Sequence, residues 1–211
     1  MRLGAWKTGV TVGVAVAAAL VLPGAVIRQP APTPTTALVG DAVWAPRAVL
    51  APDFALRDQD GKLIALRSLR GRVVALTFMD SLCTTECPIE GAVLATVQRQ
   101  LGRSTPLVVV VVSTDATGDT PARVRAFARR YGWTGPWYWL LGSQQQLAPV
   151  WGAYSITVVS VDGHSDAIYL IGRTGYERAA FGFPYSRRLL VADVQALAMR
   201  RTTAWTWPWD L

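Results

Sequence analysis

The chain has 211 residues, 51% of them hydrophobic and 17% charged, which excludes a disordered chain and bounds it to about one domain with an appendage. Lys and Arg number 21 against 14 Asp and Glu, a net charge of +7, but the basic residues are scattered arginines with no stripe longer than the pairs Arg129-Arg130, Arg187-Arg188 and Arg200-Arg201. No aromatic RNA-binding pattern accompanies them, so no nucleic acid partner is expected. Two cysteines exclude a disulfide-dense scaffold and a four-cysteine zinc site, and the single histidine excludes metal sites built on two or three imidazoles.

From the N-terminus, Arg2 and Lys7 precede an uncharged stretch of 19 residues, Gly9 to Ile27. That is close to the roughly 20 residues that cross a bilayer as a helix. Residues 1–28 are expected to be a signal anchor or a signal peptide, with the positive end in the cytoplasm and the rest of the chain outside. The apolar core is longer than that of a cleavable signal, which favours a single-pass membrane anchor; secretion after cleavage is the alternative. Residues 29–46 are rich in Pro and Thr and predict an extended spacer. A globular domain is expected over 47–201, long enough for one buried core. Residues 202–211, with Trp205, Trp207 and Trp209, suit either a membrane interface or a patch on the domain.

Within the domain the pattern alternates. Residues 54–56 and 63–66 flank Asp60-Gly61, a hairpin signal. The apolar run Val73 to Met79 predicts a buried strand, and Ile89, Val93, Val97 and Leu101 at steps of four predict a helix from Thr85 to Leu101. A second buried strand is expected from Leu107 to Val112. Asp119, Thr120 and Pro121 open a second helix, with Asp119 the expected cap and Asp115 in a turn; support of the nearby cysteine loop by these two carboxylates is the alternative. A third strand (Trp137 to Leu141), a short helix (Gln144 to Trp151), a hairpin (Ala167 to Ile171 and Tyr176 to Phe181) and a last helix (Tyr185 to Met199) follow. This predicts an α/β fold with a central sheet flanked by helices. The order β-α-β-α-β-β-α is that of the thioredoxin fold.

Cys83 and Cys87 lie directly after the first long strand, where a helix opens. Free N–H groups and the helix dipole favour thiolate there, and with it nucleophilicity and soft-metal binding. The C-x-x-x-C spacing lets both sulfurs face one ion, or close a disulfide if the first turn is unwound. A purely structural disulfide across so short a loop would gain little. Glu86, between the cysteines, either raises a thiol pKa by its charge or suits a helix start. His164 precedes the strand beginning at Ala167, in a loop that a thioredoxin fold sets beside the cysteines. Two thiolates and an imidazole make a soft three-ligand site suited to copper or zinc.

These pieces together resemble the SCO/SenC family of exported, thioredoxin-like copper-binding proteins. The resemblance rests on Pro52 to Leu56 with Asp60-Gly61; on Leu69 to Gly71 with Val73 to Phe78; and on Cys83, Thr84, Thr85, Glu86, Cys87 and Pro88. Val112 to Asp115, Asp119 to Pro121, Leu140 to Gly142, His164, Ile168 to Ile171 and Gly175 complete it. It implies one copper ion held by Cys83, Cys87 and His164, and a role as metallochaperone toward the copper-bearing subunit of cytochrome c oxidase or another exported copper or thiol client. Two departures stand out. Gly163 separates Asp162 from His164, and the residues between the cysteines are Thr84, Thr85 and Glu86 instead of a proline and acidic set. A thiol-disulfide oxidoreductase using Cys83 and Cys87 as a redox pair is the alternative enzyme reading. A peroxidase is disfavoured, because no Thr-x-x-Cys spacing precedes Cys83.

Overall fold

The computed structural model describes residues 37–160, 163–164 and 166–199, the side chains of 159–160 and 163–164 excepted. The N-terminal segment expected at 1–28, residues 29–36 of the spacer and the tail expected at 202–211 lie outside the described residues. Among the described residues, no helix is long and apolar enough to cross a membrane.

The strands are β1 (Ala42–Val43), β2 (Ala55–Arg57), β3 (Leu63–Ala65), β4 (Val73–Met79), β5 (Leu107–Ser113), β6 (Trp137–Leu140), β7 (Val158–Ser160), β8 (Gly163–His164), β9 (Ala167–Ile171) and β10 (Glu177–Gly182). The helices are α1 (Glu86–Leu101), α2 (Pro121–Arg130), α3 (Gln144–Ala153) and α4 (Arg187–Met199), with a 3₁₀ turn at Leu66–Leu69. Six strands form one sheet in the order β1-β10-β9-β4-β5-β6. β4, β5 and β6 are mutually parallel, while β9, β10 and β1 pair antiparallel. The arrangement is thioredoxin-like, as the element order predicts.

β4 and β5 are apolar at nearly every position because both faces of the sheet are covered. Val73, Ala75, Met79, Val109 and Val111 pack with α1, α2 and α4. Val74, Leu76, Phe78, Val108, Val110 and Val112 pack with α3 and the β2–β3 hairpin. Fully burying a side chain of this size contributes about 1.5–3 kcal/mol, so these two strands hold the domain together. Their C-terminal ends present the site.

Three findings differ from the sequence expectations. The buried stripe of α1 takes in Val97 and Leu101, as their spacing implies, but also Cys87, Glu90, Gly91, Leu94, Ala95 and Gln98, while Ile89 faces solvent and Val93 is half-buried. Gly91 sits inward because it admits the Phe127 ring: a Cβ there would lie 2.7 Å from it. Glu90, charged by type, turns inward because it finds hydrogen-bond partners there. Finally, residues 42–43, within the stretch expected as spacer, form edge strand β1 opposite Ala179 and Ala180. The buried Asp193 of α4 fastens this segment, accepting the N–H groups of Val39 (2.9 Å) and Gly40 (3.0 Å).

Candidate functional site

The cysteines stand where β4 ends and α1 begins. Asp80, fully buried, organises the turn between them. Its carboxylate accepts the Leu82 N–H (2.7 Å), its carbonyl accepts the Cys83 N–H (3.3 Å), and its own N–H donates to the Cys87 sulfur. From the end of β5, Asp119 holds the same turn. One carboxylate oxygen accepts the Ser81 N–H (2.9 Å); the other accepts the Ser113 hydroxyl (2.6 Å) and the Trp139 indole N–H (3.1 Å). Burial raises the Asp119 carboxyl above its ordinary range, although these three donors pull it down. Thr120, and not Asp119, caps α2: its hydroxyl oxygen accepts the Arg123 N–H (3.3 Å). Asp115 does make the expected turn, accepting from the Gly118 N–H (2.7 Å) and the Thr117 N–H (3.0 Å). Burial alone would raise its carboxyl, but these bonds and the nearby Arg123 charge outweigh burial and lower it.

Cys83 lies in the loop before α1, and Cys87 sits in the first turn of the helix. Thr85 occupies the cap position but makes no cap bond. Its hydroxyl lies 3.5 Å from the Cys83 sulfur instead. The two thiols are free, hydrogen-bonded to one another and unequal. Cys83 keeps 8% of its surface exposed and Cys87 1%. Burial would raise the Cys83 thiol, yet hydrogen bonds from the Thr85 hydroxyl, the backbone and the Cys87 thiol outweigh it and hold Cys83 below the ordinary thiol range. Burial pushes Cys87 far up, and the neighbouring Cys83 sulfur and Glu90 carboxylate add to the rise. The Cys83 proton is thus the more easily lost of the two.

Below Cys87, Glu90 accepts the Thr77 hydroxyl of β4 and, at 3.3 Å, the Tyr185 hydroxyl from the loop before α4. Burial raises the Tyr185 phenol, with the Glu90 charge adding to it. Sequence reasoning weighed Glu86 as the charge acting on a thiol. The structure assigns that place to Glu90, one turn beyond Cys87 on the inward face of α1. The signal for it was a carboxylate at i+3 from the second cysteine, beside an inward-facing glycine. Of the three expected ligands, the structure brings together Cys83 and Cys87. His164 is described in its backbone only, in β8 opposite Val158; its side chain lies outside the described residues. The tryptophans of 133–139 are structural: Trp133 and Trp139 stack at 6.2 Å behind Phe127, and Trp139 reaches Asp119.

What the arrangement can do chemically follows from the sulfur pair: hold a soft metal ion, or exchange with a disulfide. Known proteins share the fold. The SCO1 protein homolog of Bacillus subtilis (strain 168) is 28% identical over 131 residues, spanning 58% of this chain and 68% of the relative. The solved SCO1/SenC family lipoprotein from Bacillus anthracis str. Ames superposes with a TM-score of 0.65 at 22% identity, covering 74% of this chain and 99% of that one. ScoI of Bradyrhizobium japonicum, solved with copper bound, gives a TM-score of 0.61 at 25% identity, covering 71% of this chain and 99% of that one. The pattern of the SCO1/SenC family matches residues 44–199, which take in β4, both cysteines and the whole of α4. The chain belongs to the SCO1/SenC family.

Proposed function

We propose that this protein is an exported, membrane-anchored copper metallochaperone for assembly of the copper centre of cytochrome c oxidase, with copper as its cargo. Cys83, Cys87 and His164 hold the ion. The observation that carries the reading is the paired sulfurs at the head of α1, one of them stabilised as thiolate by Thr85 and the backbone. Such a donor set suits Cu(I), which two thiolates satisfy, while Cu(II) prefers added nitrogen. Asp80 and Asp119 fix the turn that carries the sulfurs. Cys87 must surrender its proton on ligation, so copper uptake releases protons and weakens in acid. The ion then passes to a partner by ligand exchange, with the more accessible Cys83 the sulfur a partner reaches first.

The test is anaerobic Cu(I) titration and aerobic Cu(II) titration of the reduced protein. One copper per chain is expected. Cys87→Ser should lose both forms, and His164→Ala should keep Cu(I) but lose the Cu(II)–thiolate charge-transfer absorption. No stoichiometric copper would end the reading. The inequality of the two thiols also favours a second reading, a thiol-disulfide oxidoreductase. There the Cys83 thiolate attacks a partner disulfide, forming a mixed disulfide and expelling one partner thiolate. Cys87 then loses its proton and attacks the Cys83 sulfur, releasing the second. A wild-type Cu(II) spectrum in His164→Ala, with thiol reductase activity lost in Cys83→Ser, would put this reading ahead.

A further inference from the structure

The sulfurs are recessed and their surroundings are not. Cys83 and Cys87 are nearly covered, whereas Leu82, Ile89 and Phe183 keep 45%, 48% and 43% of their surface exposed. Leu82 immediately precedes Cys83 and leans toward the 115–119 turn, where a Cβ on Gly118 would lie 3.0 Å from it. Ile89 is the solvent-facing residue of the first turn of α1, two places beyond Cys87. Phe183 sits in the loop from β10 to α4, at the same end of the sheet. That loop is fixed to α1 by the Tyr185–Glu90 hydrogen bond, and the Phe183 ring meets Tyr185 edge-on at 5.8 Å. Apolar side chains therefore border the sulfurs from three separate segments. None of the three is needed for the core, which Met79, Leu94 and Phe181 fill at this end.

Charges of both signs reach the surface at this end: Asp41 is exposed and accepts the Gly182 N–H (2.9 Å) beside Phe183. Asp80, Glu90, Asp115 and Asp119 are buried, and Glu86 and Asp166 are half-buried. Arg123, Arg187 and Arg188 are exposed. Arg123 acts on the Asp115 carboxylate, whereas among the described residues the ion pairs are Arg67–Asp53 and Arg125–Asp60, so no ion pair holds Arg187 or Arg188. Arg187 and Arg188 open α4, four and five places after Phe183.

We propose that Leu82, Ile89 and Phe183, with Arg187 and Arg188, form the docking surface for the client protein, and that its matching segment carries apolar side chains and carboxylates beside its own metal-ligating sulfurs. The inference rests on the copper-transfer reading. A partner must bring its ligand atoms within bonding distance of recessed sulfurs, so it cannot exchange copper without covering the rim. Burying apolar side chains there supplies affinity. The unpaired Arg187 and Arg188 steer an acidic segment and repel a basic one. The mixed apolar and basic rim thus selects clients without contributing a ligand to the metal.

The experiment uses the full chain loaded with Cu(I) and two synthetic dithiol peptides of equal copper affinity. In one the cysteines are flanked by Leu, Phe and Glu; in the other by Ser and Lys. Stopped-flow transfer at low salt is expected to favour the acidic peptide by about tenfold or more, with the preference shrinking at high salt. Ile89→Ser with Phe183→Ser should remove the apolar part of the preference, and Arg187→Glu with Arg188→Glu should invert its electrostatic part. All variants should keep one copper per chain. Equal transfer to both peptides would overturn the docking surface while leaving copper binding intact; failure of the wild type to load copper would overturn the reading beneath it. Vesicles of phosphatidylglycerol form a further arm. If they retain the wild type and not the arginine variant, and the peptides are not distinguished, the face belongs to lipid and the proposal fails.

Discussion

Thr85 stands at the head of α1, where a hydroxyl would ordinarily accept a helix N–H and contribute about 1 kcal/mol. It gives that hydroxyl to the Cys83 sulfur instead. The exchange trades helix stability for thiolate character, and it can be read out. In the reduced protein, iodoacetamide should modify Cys83 with a pH midpoint below that of an ordinary thiol and leave Cys87 unmodified until the fold opens. Thr85→Val should move that midpoint to higher pH; an unchanged midpoint would remove Thr85 from the account. The sign of the linkage follows. A thiol whose folded pKa is lowered contributes stability above the ordinary thiol pKa, and the contribution is lost as pH falls through the lowered value. Cys87, raised, acts oppositely: its contribution is present below the ordinary thiol pKa and is lost as pH rises.

At the scale of elements, α1 carries the site and its seating depends on Gly91. The Phe127 ring lies where a Cβ would be, 2.7 Å away, and the Trp133 indole donates to the Gly91 carbonyl at 2.8 Å. Gly91→Ala would gain up to about 1 kcal/mol of helix propensity. Overpacking against a ring held by Tyr131, Trp133 and Trp139 costs roughly 1–3 kcal/mol. The second effect wins, because the ring has no room to retreat. A net loss of about 1 kcal/mol in urea denaturation is expected, and a more stable variant would show that α1 and α2 can part. The same contact explains what was legible in advance. β4 and β5 could be read residue by residue, since a strand covered on both faces must be apolar throughout. The cysteine turn could be read from its place after β4. The facing of α1 could be read only in part: Val97 and Leu101 are buried as their spacing implies, but its inward side also carries a glycine, a glutamate and a glutamine whose burial is decided by partners on α2, β4 and the loops before β6 and α4. Asp119 was misassigned for a related reason. Local sequence offers it as a cap, and only the fold reveals Ser81 and Trp139 as its partners.

For the whole molecule, the segment before the domain proper is bound into it by the Asp193 carboxylate, by the Asp41 carboxylate at the Gly182 N–H and by the pairing of β1 with β10. Asp193→Ala would leave the N–H groups of Val39 and Gly40 without their acceptor, a loss of about 1 kcal/mol where water can replace it in part. Limited proteolysis should then cut near β1 sooner than in the wild type, with the cysteine end still protected. Equal protection in both would show that pairing with β10 suffices. The Asp193 clasp also sets a schedule. Val39 and its acceptor are 154 residues apart in the chain, and Ala42 and Val43 pair with Ala180 and Ala179. During synthesis, the first described strand to leave the ribosome is therefore among the last to find its place. β4, α1 and β5 can associate as soon as residue 113 is out, whereas residues 39–43 must wait until α4 exists. Until then β10 has an open edge and the chain ahead of the domain stays loose from it, so closing the sheet and fastening the N-terminal segment are a single late event.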